Sequence, residues 1–208
     1  MVNKPATKRK RLSVEARRRQ LEGVGVELIA DRAWSTLTMA DIAAAADVSK
    51  PLLYHYFSTK HDLYIAAVRA AADQLSEITR PDPTLPGRAG TRQALAAHVD
   101  FVEAHSLHYC TLLNGAVSGD PEVREIIDAS HDETVRRILG NLGTTEPSPT
   151  LRIALRGWVG FLDAACVEWL TDPAITKAQL VELLAASLPG SIRLAKNIDR
   201  QTQEHPHD

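Results

Sequence analysis

Apolar positions recur along this chain at spacings of three and four, and no stretch alternates convincingly with period two, so the pattern predicts helices throughout. Leu21, Val24, Leu28 and Ile29 give a stripe for a helix over 14–33, with Ser13 at its N-cap. A short helix over 39–46 follows, with Thr38 as N-cap and Asp41 in the first turn, where a carboxylate suits the helix dipole. Asp47-Val48 makes a turn. Ser49 caps again, and Pro51 falls in the first turn of a third short helix ending at Tyr56. Ser58-Thr59 interrupts the chain before a long helix over 60–79.

Pro81, Pro83, Pro86, Gly87 and Gly90 mark the clearest loop. Beyond it the pattern predicts helices over 91–104, 107–117, 121–142, 150–170 and 177–188. Pro189-Gly190 is expected to break or kink the last of these, with a short helical stretch to 196 and a polar, frayed tail from Gln201. No internal repeat is visible.

Charge changes the picture. Residues 1–60 hold 11 Lys/Arg against 6 Asp/Glu, whereas the rest of the chain holds 13 against 20. A basic first quarter on an acidic body points one end of the molecule at a polyanion. Composition adds exclusions. No apolar run is long enough to span a bilayer, and no apolar stretch follows the basic start as a secretory signal requires. Cys110 and Cys166 form neither a disulfide framework nor a metal-ligand spacing, so a reducing cytoplasm is the expected setting. His98, His105, His108 and Cys110 do not make a closed ligand set, nor does His131-Asp132, and no metal or cofactor is expected. Without a glycine-rich phosphate loop or a credible triad, an enzyme is not expected either.

The short helices before residue 60 carry the most specific signal. Ile42, Ala43 and Ala46 offer an inward face, and Val48, Leu53 and Phe57 a seam to fix the angle, as a helix-turn-helix needs. That arrangement leaves Lys50, Pro51, Leu52, Tyr54, His55 and Tyr56 at the start and outer side of the second helix, the positions that enter a major groove. Leu53 and Phe57 are read as core.

The run from Thr38 to Phe57, with its Ile-Ala-x-x-Ala, Val-Ser-Lys and Leu-Tyr-x-Tyr-Phe elements, and Lys60 and Asp62-Leu63 behind it, closely resembles the TetR family of bacterial regulators over residues 14–74. The resemblance implies an all-α fold: a three-helix head over 13–60 and a helical regulatory and dimerisation body over 61–200, flanked by a basic arm at 1–12 and a tail at 201–208. It implies that Thr38 and Lys60 grip backbone phosphates, and that Ser49, Lys50, Pro51, Leu52, Tyr54, His55 and Tyr56 face double-stranded DNA. The chain departs from the family at Ala33 and Asp47, where Gly is usual. It departs again at Pro51-Leu52, where a small residue and a hydroxyl are usual, which points to a different operator. Lys8-Arg9-Lys10-Arg11 reads as a solvated end, with a minor-groove arm as the alternative.

In the body, the helix over 150–170 has two apolar stripes. Leu151, Leu155, Trp158, Leu162 and Trp169 form one; Ile153, Gly157, Gly160, Ala164 and Val167 form the other, made mostly of small residues. A helix apolar on two sides needs two partners. The family implies a homodimer through the last two long helices, placing the second stripe with Leu180 and Leu184 at the interface. It also implies a pocket for a small, largely apolar or aromatic effector, with Phe101, His105, Tyr109, Leu112, Leu113, Trp158, Phe161 and Trp169 as candidate lining. The expected function is repression of transcription at a palindromic operator, relieved by the effector. An activator or an effector-independent regulator uses the same head and stays open. A helical interaction module explains the body but leaves the basic head unexplained.

Overall fold

In the computed structural model, residues 12–85, 87–113 and 120–204 are described, and among them the chain is all helical. The elements are α1 (Val14–Asp31), a single 3-10 turn at Trp34–Thr36, α2 (Met39–Ala45), α3 (Lys50–Tyr56), α4 (Lys60–Ile78), α5 (Gly87–Ala104), α6 (Ser106–Leu113), α7 (Pro121–Asn141), α8 (Pro149–Thr171) and α9 (Lys177–Glu204). Residues 1–11 of the expected basic arm at 1–12, the stretch 114–117 of the expected sixth helix and the last four residues of the tail lie outside the described residues.

Short polar sequences start these helices. Thr38 and Thr59 each form a reciprocal box with an Asp three residues on: the Thr hydroxyl accepts from the Asp backbone N–H, and the Asp carboxylate accepts from the Thr backbone N–H. Ser13, Ser49, Asp120 and Ser148 accept at the N-termini of α1, α3, α7 and α8. Helix α7 ends in a Schellman motif at Gly143, φ +65°, with Gly143 N–H on Gly140 O and Thr144 N–H on Leu139 O.

Three clusters bury the apolar stripes. The first packs Leu21 of α1 against Ile42, Ala43, Leu53, Phe57 and Leu63, and fixes α1, α2, α3 and the start of α4 together. The largest joins α5, α7, α8 and α9 around Val99, Val102, Leu155, Trp158, Leu162, Leu180 and Leu184. Between them, Ile29, Tyr64, Ile65, Ala67 and Val68 meet Val123 and Ile126 of α7. Helix α4 therefore belongs to both ends of the molecule.

Two expectations are corrected here. Helix α9 runs unbroken through Pro189 to Glu204, so the break at Pro189-Gly190 and the frayed start of the tail at Gln201 do not occur. An interior proline costs a helix about 3 kcal/mol, but Leu180, Leu184 and Leu188 before it and Ala195 after it are all buried on the same face. At about 1.5–3 kcal/mol for each fully buried leucine, that packing outweighs the lost hydrogen bond. Leu180 and Leu184, expected at a dimer interface, are 1% and 0% exposed inside the protomer's own core. They belong to the inward stripe that α9 lays on α8, and Leu183 and Leu194, 48% and 63% exposed, stand on the outward side instead.

Candidate nucleic-acid interface and ligand cavity

The turn between α2 and α3 is closed by Val48 N–H on Ala43 O, and Asp47 enters the left-handed region at φ 51°. Asp tolerates that conformation better than most side chains with a Cβ, which is how this chain dispenses with glycine there. Leu53 and Phe57 are fully buried and set the angle of α3. Ser49, Lys50, Pro51, Tyr54 and His55 are exposed on its outer side. The Lys50 ammonium lies 5.9 Å from the Tyr54 ring centroid, so the two extend as a pair. Leu52 and Tyr56 are half-buried, and Tyr56 packs on the head core while its ring edge meets His55 at 5.2 Å.

Thr38 and Lys60 flank this surface. The Thr38 hydroxyl donates to Asp41 Oδ2 at 2.6 Å, so in this form its proton is already engaged by the capping box. The Lys60 Nζ donates to Ser35 O at 3.3 Å and sits 5.9 Å from the Trp34 ring centroid, which aims it from the 3-10 turn. Arg18 is a residue the helical pattern did not single out. It donates to Tyr56 O at 3.3 Å, and its guanidinium lies 4.6 Å from the Phe57 ring centroid, tying the end of α3 to α1.

Below the head, α4, α5, α6, α7, α8 and α9, with Ile29 of α1, line a cavity of about 810 Å³. Of the candidate lining residues, Phe101, His105, Tyr109, Leu112, Leu113 and Trp158 stand in its wall, and Phe161 and Trp169 do not. Phe161 is 41% exposed, on the face of α8 that carries Gly157 and Ala164. Trp169 lies three helical turns beyond Trp158, about 16 Å along the axis. Its indole N–H donates to Ile175 O at 2.8 Å and closes the α8–α9 connection.

The cavity has polar members that apolar periodicity could not reveal. Asp163 Oδ1 accepts from the Tyr109 hydroxyl at 2.8 Å, and Oδ2 from His131 Nε2 at 2.7 Å. Burial holds the Tyr109 hydroxyl well above the usual tyrosine range and pushes the Cys166 thiol up to about 12. Burial also pushes His98 down to about 4, against the pull of Asp163, and His108 down to about 4, so both rings are neutral at neutral pH. The Nε2 atoms of both are buried without a hydrogen-bond partner among the described residues. The one sequence signal for this cluster was a carboxylate, Asp163, inside the apolar run of α8.

The outer face of α8 is bare. Ile153 is 74% exposed, Gly157, Gly160 and Ala164 are exposed, and Val167 is half-buried. A Cβ added at Gly157 or Gly160 would meet nothing within 4 Å, so nothing inside the protomer requires those glycines.

Comparison with known proteins agrees with this architecture. Residues 23–67 match the model for bacterial regulatory proteins of the tetR family, and residues 88–188 match the tetracyclin repressor-like C-terminal domain. A tetR-family transcriptional regulator from Streptomyces coelicolor superposes with a TM-score of 0.83 at 28% identity, over 93% of this chain and 87% of that one. The chain is 35% identical to the HTH-type transcriptional activator FasR of Mycolicibacterium smegmatis over 115 residues, 54% of this chain and about half, 52%, of that protein's length. It is 27% identical to the HTH-type transcriptional repressor LfrR of the same species over 86% of this chain and 91% of the relative. With a helix-turn-helix head matching one model of this group and a helical body matching another, the chain belongs to the TetR family of bacterial transcriptional regulators.

Proposed function

We propose that this protein is a homodimeric, sequence-specific repressor that holds a palindromic DNA operator and releases it when a small, largely apolar or aromatic effector fills the cavity. Residues 13–60 are the reading head and 61–200 the regulatory and dimerising body. Lys50, Pro51, Leu52, Tyr54, His55 and Tyr56 enter the major groove, with Ser49, Thr38 and Lys60 on the phosphates that set register. Thr38 must turn its hydroxyl away from Asp41 to take that role. Ile153, Gly157, Gly160, Ala164 and Val167, with Phe161, form the α8 part of the dimer face. The open space around a Cβ at Gly157 and Gly160 supports it, since small residues on an open face admit a second helix closely.

The observation that carries the effector reading is the position of α4. Its first turn holds Lys60, and its later turns contribute Val68, Ala71, Leu75 and Ser76 to the cavity wall. An occupant that prefers a displaced α4 shifts the spacing of the two heads, by no more than its difference in affinity for the two states.

Alanine at Tyr54 and at Lys60 tests the head. Each variant is expected to keep its helical content and lose operator affinity. The Lys60 variant is also expected to show a salt slope shallower by about one, as removal of a single phosphate-binding cation requires. Unchanged binding in both refutes the assignment. The match to an activator supports a second reading with the same head, and a promoter fused to a reporter separates the two by the sign of its response.

A further inference from the structure

Arg137 of α7 is a cation in the wall of an otherwise mostly apolar cavity, with its side chain only 19% exposed. Its Nη1 donates to Thr79 Oγ1 at 3.1 Å and its Nη2 to Ser76 Oγ at 2.8 Å. Both partners are neutral hydroxyls. Glu133, its acidic neighbour, stands 3.8 Å away, outside hydrogen-bond range, and turns its other oxygen to Arg136 at 3.0 Å. A guanidinium has five N–H donors in a planar fork, and two of these account for the bonds to α4. Arg88 and Arg193 line the same cavity from α5 and α9. Three acids line the cavity: Asp82 accepts from the Thr84 backbone and hydroxyl, Asp163 accepts from Tyr109 and His131, and Glu133 is bonded to Arg136 and pairs with Arg137 only at 3.8 Å. A positive charge drawn partly out of water, with no carboxylate in hydrogen-bond contact, is under-compensated and favours an anionic guest.

We propose that the cavity takes an amphiphilic anion, a molecule with an apolar body and a single carboxylate, and that the Arg137 guanidinium grips the carboxylate. This rests on the reading of the cavity as an effector site and adds the charge class of the effector. Arg137 already ties α7 to the last turn of α4 through Ser76 and Thr79, so a carboxylate competing for its fork loosens that tie.

Titration calorimetry of the full chain with decanoate, methyl decanoate, decanol and decylammonium decides it, because the four share one apolar chain and differ in the head. Decanoate is expected to bind about tenfold tighter than the ester or the alcohol, as one charge-assisted pair in a shielded site provides. Arg137→Gln is expected to bring the acid and ester within about threefold of each other, and Arg137→Lys to keep part of the preference. Equal binding of all four, tighter binding of decylammonium, or an undiminished preference in Arg137→Gln overturns the anion assignment and leaves the effector cavity standing. Binding by none of the four overturns both. Should Arg137→Gln fail to fold, the wild-type series and Arg137→Lys decide the same question.

Discussion

The imidazole of His108 on α6 meets the ring of Tyr64 on α4 edge to face, with centroids 5.7 Å apart. Tyr64 in turn lies 5.3 Å from Trp34, over whose ring Lys60 is placed. His108 lines the cavity, so one run of packed rings joins the cavity wall to a residue assigned to phosphate contact. Packed contact is a route by which two states can communicate, and its coupling is a matter for measurement.

The burial of His108 makes stability depend on pH. His108 is depressed from 6.5 to about 4, first by burial and then by His105. Between those values the unfolded chain binds a proton that the folded chain refuses, so stability is full above about pH 6.5 and falls as pH drops toward 4. The loss from this source is on the order of 2–3 kcal/mol for His108. Carboxylates titrate in the same window, so the informative readout is a comparison with His108→Phe. Thermal unfolding from pH 7.5 to 4.5 is expected to be less steep in that variant. Parallel curves contradict the assignment to His108.

Glycine at position 25 is a packing requirement. A Cβ there would lie 2.8 Å from the Ala67 Cβ, where α1 crosses α4. Gly25→Ala should destabilise by about 1–3 kcal/mol through overpacking. Gly23→Ala on the same helix meets nothing within 4 Å and should stabilise by about 0.5–1 kcal/mol. Chemical denaturation of the pair gives opposite signs if the close approach is real.

The two Thr-x-x-Asp boxes start the helices that bracket the recognition element. Thr59→Ala is expected to cost about 1 kcal/mol, and Thr59→Ser much less, because a hydroxyl at the N-cap is what the α4 backbone needs. At the turn, Asp47→Val should cost roughly 1–3 kcal/mol, since a β-branched side chain resists φ 51°. Equal stability of Asp47→Val and the parent would refute that reading of the turn.

The bare face of α8 gives a fourth test. Ile153→Glu places a charge at the most exposed apolar position on that helix. Sedimentation is expected to show the parent as a dimer and the variant as a folded monomer with weakened operator binding. A dimeric variant moves the interface elsewhere.

The head was legible in the sequence because its information is local. Caps, a turn residue and a tight seam lie within twenty residues, and each side chain's role follows from its place in a short helix. Thr38, Ser49, Leu53, Asp47 and Phe57 were readable for that reason. The cavity was not, because it is assembled from seven helices distant in sequence. Periodicity identified the apolar members Phe101 and Trp158, but it could not separate Phe161 from them, one turn along α8 and only about 60° around it from Trp158. Leu180 and Leu184 illustrate the same limit, since a stripe at helical spacing gives no sign of which of two partners it faces. Pro189 shows tertiary packing overriding a local breaker. His98, His131, Asp163 and Arg137 are polar residues on helices with apolar faces, and only the fold brings them to one wall.

Whether the surface from Thr38 to Lys60 reads DNA sequence is tested most directly by selecting bound fragments from a genomic library at moderate salt, followed by footprinting. The expected result is enrichment of a near-palindromic site with two protected half-sites about one helical turn apart, lost in the Tyr54→Ala variant. Binding that follows salt but not sequence, or no binding at all, would contradict it.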